Sequence, residues 1–326
     1  MKELRDARVL VTGASGFLGA NLVRALLAQG ASVTGTIRPS SDLRRLDSGQ
    51  TRLNFEVVDF ANPETVHPLL DRVRPELVFH LAFASGHPEE VGARSEMLRT
   101  GVLGTAAVLE SAARVGVSRL IQVGSFLEYG SKDRPLREGD PIQPGTFRGA
   151  VKAACTLLCR QYALAHGLPI VILRVFTAYG PWEARSRLIP SAFLAAVRDE
   201  ALPLTPLGVR HDFVHVLDVV EACLRAATLD SKGCTEVNIG SGRAWTNEAV
   251  VGLVEDIVGR KVRILPNAYP LRPVDLDRRV ADTGQARKVL AWRPRFSLRR
   301  GLEQMYPWLK ENLEYYAHAG AASGGN

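Results

Sequence analysis

Three glycines, Gly13, Gly16 and Gly19, follow an apolar run at 8–11 and open an amphipathic stretch at 21–27. At this spacing glycine serves phosphate binding. Gly13 permits a tight turn after a strand, Gly16 lets the backbone approach a pyrophosphate, and Gly19 lets the following helix pack on the strand with its N-terminal N–H groups facing the phosphates. With Ser15, Phe17 and Leu18 they form a candidate dinucleotide loop in the strand-to-helix context that the motif requires. A second strand at 31–37 ends in Arg38, Pro39, Ser40 and Ser41, where an Asp or Glu would hold an adenosine ribose diol. A guanidinium is a fixed multi-donor cation suited to a 2′-phosphate, so NADP is expected ahead of NAD. Asp59, at the end of a strand at 53–58, is placed to meet an adenine amino group, with Phe60 beside it.

The elements that must position these groups alternate along the chain. Strand patterns at 9–11, 32–37, 53–58, 77–81, 119–123 and 170–174 are separated by helical stretches such as 104–115, which predicts an α/β fold built on a doubly wound parallel Rossmann sheet. After Tyr179-Gly180-Pro181 the pattern loosens into Pro-rich and Arg-rich segments, with short strands at 236–239 and 261–265 assigned to a smaller C-terminal α/β substrate lobe. The expected division places 1–178 and about 213–237 in the dinucleotide domain, 179–212 and 238–316 in the lobe, and 317–326 in a frayed Gly/Ala tail.

Composition agrees with such an enzyme. The chain has 326 residues, 46% hydrophobic and 23% charged, as a folded globular protein does. No apolar run reaches membrane-spanning length and the N-terminus lacks a signal-peptide core, so a cytoplasmic location is expected. Cys155, Cys159, Cys223 and Cys234 lack metal-type pairing with histidines; reduced buried thiols and no metal are expected. The net charge of +7 comes from scattered arginines without a basic block or interleaved aromatics, so a phosphate-bearing small substrate accounts for it without nucleic acid.

The chain resembles the extended short-chain dehydrogenase/reductases, a family of nucleotide-sugar epimerases, dehydratases and ketoreductases, over nearly its whole length. Thr12-Gly13-Ala14-Ser15-Gly16-Phe17-Leu18-Gly19 is similar to the family's cofactor loop, and His80-Leu81-Ala82 to the strand end beside the cofactor. The segments 173–181, 210–216 and 238–242, with Arg272 and Asp275, complete the likeness. By that resemblance Ser125, four residues before Tyr129-Gly130, is the hydroxyl that hydrogen-bonds the reacting sugar oxygen, and the form Gly124-Ser125-Phe126-Leu127-Glu128-Tyr129-Gly130 is similar to the branch that reduces 4-keto-6-deoxy sugars. Dehydratases of the family carry an Asp-Glu pair after the hydroxyl residue. Phe126 and Leu127 stand here and cannot transfer a proton, and Glu128 falls one place too late.

The family also implies Tyr-x-x-x-Lys, the lysine holding the nicotinamide ribose and lowering the tyrosine pKa. Lys152 is present, but Arg148 stands in the tyrosine's place. The i, i+4 spacing keeps both groups on one helical face, yet a guanidinium cannot give up its proton at neutral pH and can only steady developing oxyanion charge. Losing a positioned acid costs about 10²- to 10⁴-fold in rate. Three explanations stay open: an engineered variant, another donor such as Tyr179, Glu128 or a water relayed by Ser125, or binding without turnover. Phe147 and Val151, where the family has proline and serine, favour natural divergence.

Arg210 and Arg272 suit a substrate diphosphate, and Tyr179 is a candidate substrate contact, although Tyr129 and Tyr179 taken singly read as packing residues. Asp212 and Asp275 are expected to orient backbone or arginines, and Trp182 and Trp245 to pack or to stack on a ligand. The expected activity is NADP- or NAD-dependent 4-ketoreduction of a nucleotide-diphospho-sugar. The alternatives are a 4-epimerase and a noncatalytic binding protein. The resemblance also implies a homodimer, with the helices at 94–115 and 150–165 forming its interface.

Overall fold

A computed structural model of the chain describes residues 4–46, 51–84, 90–130, 132–269 and 279–317. The first half runs β1 (Arg8–Thr12), α1 (Phe17–Ala28), β2 (Ser32–Ile37), β3 (Leu53–Val57), α2 (Val66–Val73), β4 (Leu77–His80), α3 (Ala93–Met97), α4 (Gly104–Val115), β5 (Arg119–Ser125), α5 (Phe147–His166) and β6 (Ile170–Val175). There follow β7 (Thr177–Tyr179), α6 (Leu188–Arg198), β8 (Leu202–Pro203), β9 (Arg210–His215), α7 (Val216–Ala227), β10 (Cys234–Ile239), β11 (Ala244–Thr246), α8 (Asn247–Val258), β12 (Ile264–Leu265), α9 (Gly284–Leu290), α10 (Leu298–Glu311) and α11 (Leu313–Ala317).

Seven parallel strands form the central sheet in the order β10-β6-β5-β4-β1-β2-β3. Helices cover both faces, so β4 and β6 are buried at every position and read as near-continuous apolar runs. The strand order reverses between β1 and β4, and the crevice beyond their carboxyl ends is where open α/β sheets bind ligands. Gly13 and Ser15 lie on one side of it and residues 81–84 on the other.

Two expectations about the C-terminal half are corrected. The strand at 236–239 is not part of the lobe: as β10 it pairs in parallel with β6 from Cys234↔Ile170 to Ile239↔Val175 and completes the main sheet. A short strand of mixed composition reads alike in either place, and only its distant partner decides. Likewise Ala286, Leu290 and Trp292, in or just after α9, pack into the sheet's core with Ala222 and Val237. The lobe has its own core of Tyr179, Phe193, Phe213, Val250, Leu302 and Met305. It carries the three-stranded sheet β11-β9-β7 and the pair β12-β8, and the second of these reduces the expected 261–265 strand to two residues.

Candidate active site

Gly13 follows β1 at φ +69°, and a Cβ added there would come within 3.1 Å of the Ala82 backbone, so the turn and residues 81–82 approach as only glycine allows. Gly16 is the N-cap of α1, with no side-chain cap and no acidic residue in the first turn. The helix therefore offers unclaimed N–H groups and its positive end toward the crevice. A Cβ on Gly19 would run into the Gly13 carbonyl oxygen. This cradle fits a dinucleotide pyrophosphate. Phe17 and Leu18 are half-buried in the first turn. Ser15 Oγ donates to Ser41 Oγ at 3.1 Å, and Ser41 Oγ accepts the Arg38 N–H at 2.9 Å, so the glycine loop is tied to the turn after β2, on which the Arg38 side chain is exposed.

Asp59 is exposed just beyond β3, with Oδ1 accepting the Ala61 N–H at 2.9 Å. The reading of Phe60 as a cofactor contact is corrected for its ring, which is 5% exposed, packs 5.8 Å from the His80 ring and cannot face a nucleotide.

Ser125 closes β5. Its Oγ accepts the Leu127 N–H at 3.2 Å, while its own N–H donates to Glu128 Oε1 at 2.8 Å. These two bonds form a capping box that fixes the turn, and the Ser125 hydroxyl hydrogen has no acceptor among the described residues, so it can donate to a substrate oxygen. α5 starts at the N-cap Thr146, and Gly149 in its first turn lies against the Leu127 carbonyl oxygen where a Cβ would clash. That contact sets Arg148 and Lys152 relative to Ser125.

Lys152 Nζ donates to the Val123 carbonyl at 2.8 Å and lies 4.3 Å from the Phe83 ring centroid. Burial, and then the charge of Arg148, holds its ammonium below the ordinary lysine pKa. Arg148 is half-buried, donates from Nη1 to the Ala84 carbonyl at 3.1 Å and places its guanidinium 5.4 Å over the same ring. Burial and the Arg187 charge lower its pKa, but a guanidinium stays protonated. Phe83, which the sequence reading passed over, is thus the platform for both cations.

Two suggested proton donors are removed by the geometry. Glu128 has no exposed surface, and its Oε2 accepts the Thr156 hydroxyl and Arg174 Nε, each at 2.8 Å. It holds elements together and faces no crevice. Tyr179 is 1% exposed within the lobe core, with its hydroxyl 3.4 Å from the Leu298 carbonyl. Its assignment as a substrate contact gives way to packing, and Tyr129 is also held inside the fold, its hydroxyl donating to Asn238 Oδ1 at 2.7 Å and accepting from Arg174 Nη1 at 2.8 Å.

On the lobe side a recess of about 480 Å³ is lined by Arg134, Arg210, Arg243 and Trp245 among others. The guanidiniums of Arg210 and Arg243 are exposed and make no hydrogen bond or ion pair with the described residues. Val280 of the recess adjoins Arg279, whose guanidinium lies 5.5 Å over the ring of Phe126, the residue after Ser125. Arg272 and Asp275 lie outside the described residues. Asp212 accepts the N–H groups of Ser241, Gly242 and Ala281 at 2.6, 3.0 and 2.9 Å, an orienting role. Trp182 packs edge-on against Trp308 and Tyr315, away from the recess.

A model of the NAD dependent epimerase/dehydratase family matches residues 9–240. The chain is 28% identical over 319 residues to a dTDP-glucose 4,6-dehydratase of Streptomyces griseus, covering 94% of this chain and 95% of that protein. Among solved structures it is similar to MoeE5 in complex with UDP-glucose and NAD, at 32% identity and a TM-score of 0.84, covering 94% of this chain and 100% of the other. It is also similar to the UDP-glucose 4-epimerase of Thermus thermophilus in complex with NAD, at 26% identity and a TM-score of 0.83, covering 94% and 99%. No helix among the described residues is long and apolar enough to cross a membrane.

Proposed function

Because the chain belongs to the NAD dependent epimerase/dehydratase family, we propose that it is a nicotinamide-dependent nucleotide-sugar oxidoreductase that reduces the 4-keto group of an NDP-4-keto-6-deoxyhexose. One observation carries the reading: Ser125, with a hydroxyl hydrogen to donate, shares a crevice end with the cradle and Lys152, while Phe126 and Leu127 next to it cannot move the protons that dehydration needs.

When bound, the dihydronicotinamide supplies hydride to the carbonyl carbon. Ser125 donates its hydroxyl hydrogen bond to the ketone oxygen, and Arg148 N–H groups steady the negative charge that grows there. The proton that completes the alcohol comes from water reaching the oxygen beside Ser125. Lys152 keeps one N–H on the Val123 carbonyl and turns the others toward the nicotinamide ribose. Arg38 and Ser41 meet an adenosine 2′-phosphate, which is the basis for preferring NADP, although the similar structures named above hold NAD. Arg210, Arg243 and Arg272 pair with the diphosphate. Leu98 and Leu103, next to α4, and Leu157 and Leu164 on α5 are 45%, 49%, 53% and 89% exposed, and this apolar surface supports a homodimer formed through these helices.

The likeness to a 4-epimerase favours a second reading, in which the same residues act on a retained cofactor and return the hydride to the opposite face. The test mixes the purified protein with NADPH, then NADH, and a dTDP- or CDP-4-keto-6-deoxyhexose, and follows loss of nicotinamide absorbance beside an Arg148→Tyr variant. Turnover by the chain itself establishes the ketoreductase. Turnover only after Arg148→Tyr means an intact frame put to another use. No turnover in either, with cofactor that survives purification, turns the reading to the epimerase; with free exchange it turns to a noncatalytic binding protein.

A further inference from the structure

Beneath the crevice the hydrogen bonds of one buried imidazole can be assigned a direction by counting donors. Thr12 Oγ1 accepts the N–H groups of Leu81 and Ala82, both at 3.0 Å, which fills its two lone pairs. Its single hydrogen therefore donates to His80 Nδ1, 2.7 Å away. A neutral imidazole has one N–H, which must sit on Nε2, and it donates to Thr105 Oγ1 at 3.0 Å. Thr105 in turn donates to Cys155 Sγ at 3.5 Å, and the Cys155 thiol donates to the Gly101 carbonyl at 3.2 Å. Every hydrogen in the chain has one acceptor, and the chain ends on a backbone oxygen of the π-helical segment Leu98–Leu103.

We propose that His80, as the neutral Nε2–H tautomer, is a positioning residue for the cofactor crevice: the hub of a one-way hydrogen-bond chain that fixes residues 81–84 against α5. The inference rests on the reading that the crevice takes a nicotinamide dinucleotide. Residues 81–84 form the site's near wall. Ala82 backs the Gly13 turn, Phe83 lies under Lys152 and Arg148, and the Ala84 carbonyl holds Arg148. The far end of the chain, Cys155, sits on α5 three residues after Lys152. One imidazole therefore sets the spacing between the cradle and the cations. A second ring proton would point Nδ1–H at a hydroxyl whose lone pairs are taken, so an N–H bond to residue 81 or 82 would have to break. Burial, and then the neighbouring Lys152 charge, pushes the His80 pKa down to about 3, so the neutral form persists.

The test reads the tautomer directly in the ligand-free protein and then its consequence for binding. A long-range proton–nitrogen correlation spectrum of nitrogen-15-labelled protein at neutral pH should show His80 with a bare Nδ1 and a protonated Nε2. An Nδ1–H tautomer or an imidazolium would overturn the proposal, whatever the chain binds. Fluorescence titration with NADH and NADPH should show binding weakened about tenfold in His80→Leu, which leaves the Thr12 and Thr105 hydroxyls without their partner. His80→Gln, an amide with one acceptor and a donor, should restore most of it. His80→Leu binding as tightly as the unaltered protein would also overturn the proposal. If His80→Leu does not fold, Thr105→Val, which cuts the chain and keeps the imidazole, carries the same expectation. Absence of binding by the unaltered protein would refute the cofactor reading itself and leave the spectrum to decide the chain.

Discussion

Replacing Glu128 by glutamine should separate the stability of the crevice floor from its chemistry. The carboxylate accepts from the Ser125 N–H, the Thr156 hydroxyl and Arg174 Nε, all at 2.8 Å, and the side chains of the Glu128–Arg174 pair are both 0% exposed. In Glu128→Gln the amide oxygen can keep the Ser125 N–H, and Thr156 can turn to accept, but the amide nitrogen then opposes the Arg174 Nε donor. Breaking a buried pair costs about 3–5 kcal/mol. Arg174 retains Glu236, whose Oε2 lies 2.7 Å from Nη2, which places the expected loss near the lower end, about 3 kcal/mol. That is a large part of the roughly 5–15 kcal/mol that holds a domain folded. Urea unfolding at neutral pH, followed by tryptophan emission, should show a lower midpoint with an unchanged slope. Dinucleotide affinity of the folded variant should hold, because the Ser125 turn keeps its acceptor. A loss under about 1 kcal/mol, the range of exposed ion pairs, would refute the reasoning.

Arg38→Ala should weaken NADPH binding by about ten- to a hundredfold, the loss of hydrogen bonds between charged groups, and leave NADH unchanged in the same fluorescence titration. Equal losses for both would remove the 2′-phosphate assignment. Leu157→Glu should convert a dimer to a monomer in sedimentation, since Leu157 and Leu164, seven residues apart on α5, share one exposed stripe; an unchanged mass would place any interface elsewhere. Glu183 is raised from an ordinary value of 4.5 to about 7 by burial, with the facing Arg187 opposing the shift. The folded state then holds a proton that the unfolded state has released, so stability should fall as pH rises from about 4.5 to about 7 and level off above. Glu183→Gln should flatten that slope in thermal unfolding, and an identical slope in the variant would show that Glu183 is not its source.

The cradle was legible because its demands are local. Gly13, Gly16 and Gly19 each answer a backbone requirement within a few residues, and Ser125, Arg148 and Lys152 stand at fixed spacings on one strand end and one helix face. What the sequence hid depends on partners far along the chain. β10 resembled a lobe strand until β6 claimed it, and Tyr179 looked available for a ligand until α10 closed over its hydroxyl. Glu128 drew notice as a stray acid, and its role became visible only when Arg174 and Thr156 arrived from other elements. Phe83 carried a signal too weak to read, a phenylalanine after a buried strand, and His80 was visible only as part of the strand end beside the cofactor, with nothing to show which hydroxyls would meet its ring. Their importance comes from the cations and hydroxyls that the fold gathers around them.

The most direct test of the central claim is to incubate the protein with NADPH carrying deuterium at the transferable nicotinamide position and an NDP-4-keto-6-deoxyhexose, and to weigh the sugar by mass spectrometry. The account predicts a 4-hydroxy product with one deuterium bonded to C4, formed by the chain with Arg148 in place. A sugar nucleotide that binds but comes away unreduced and without deuterium would contradict it.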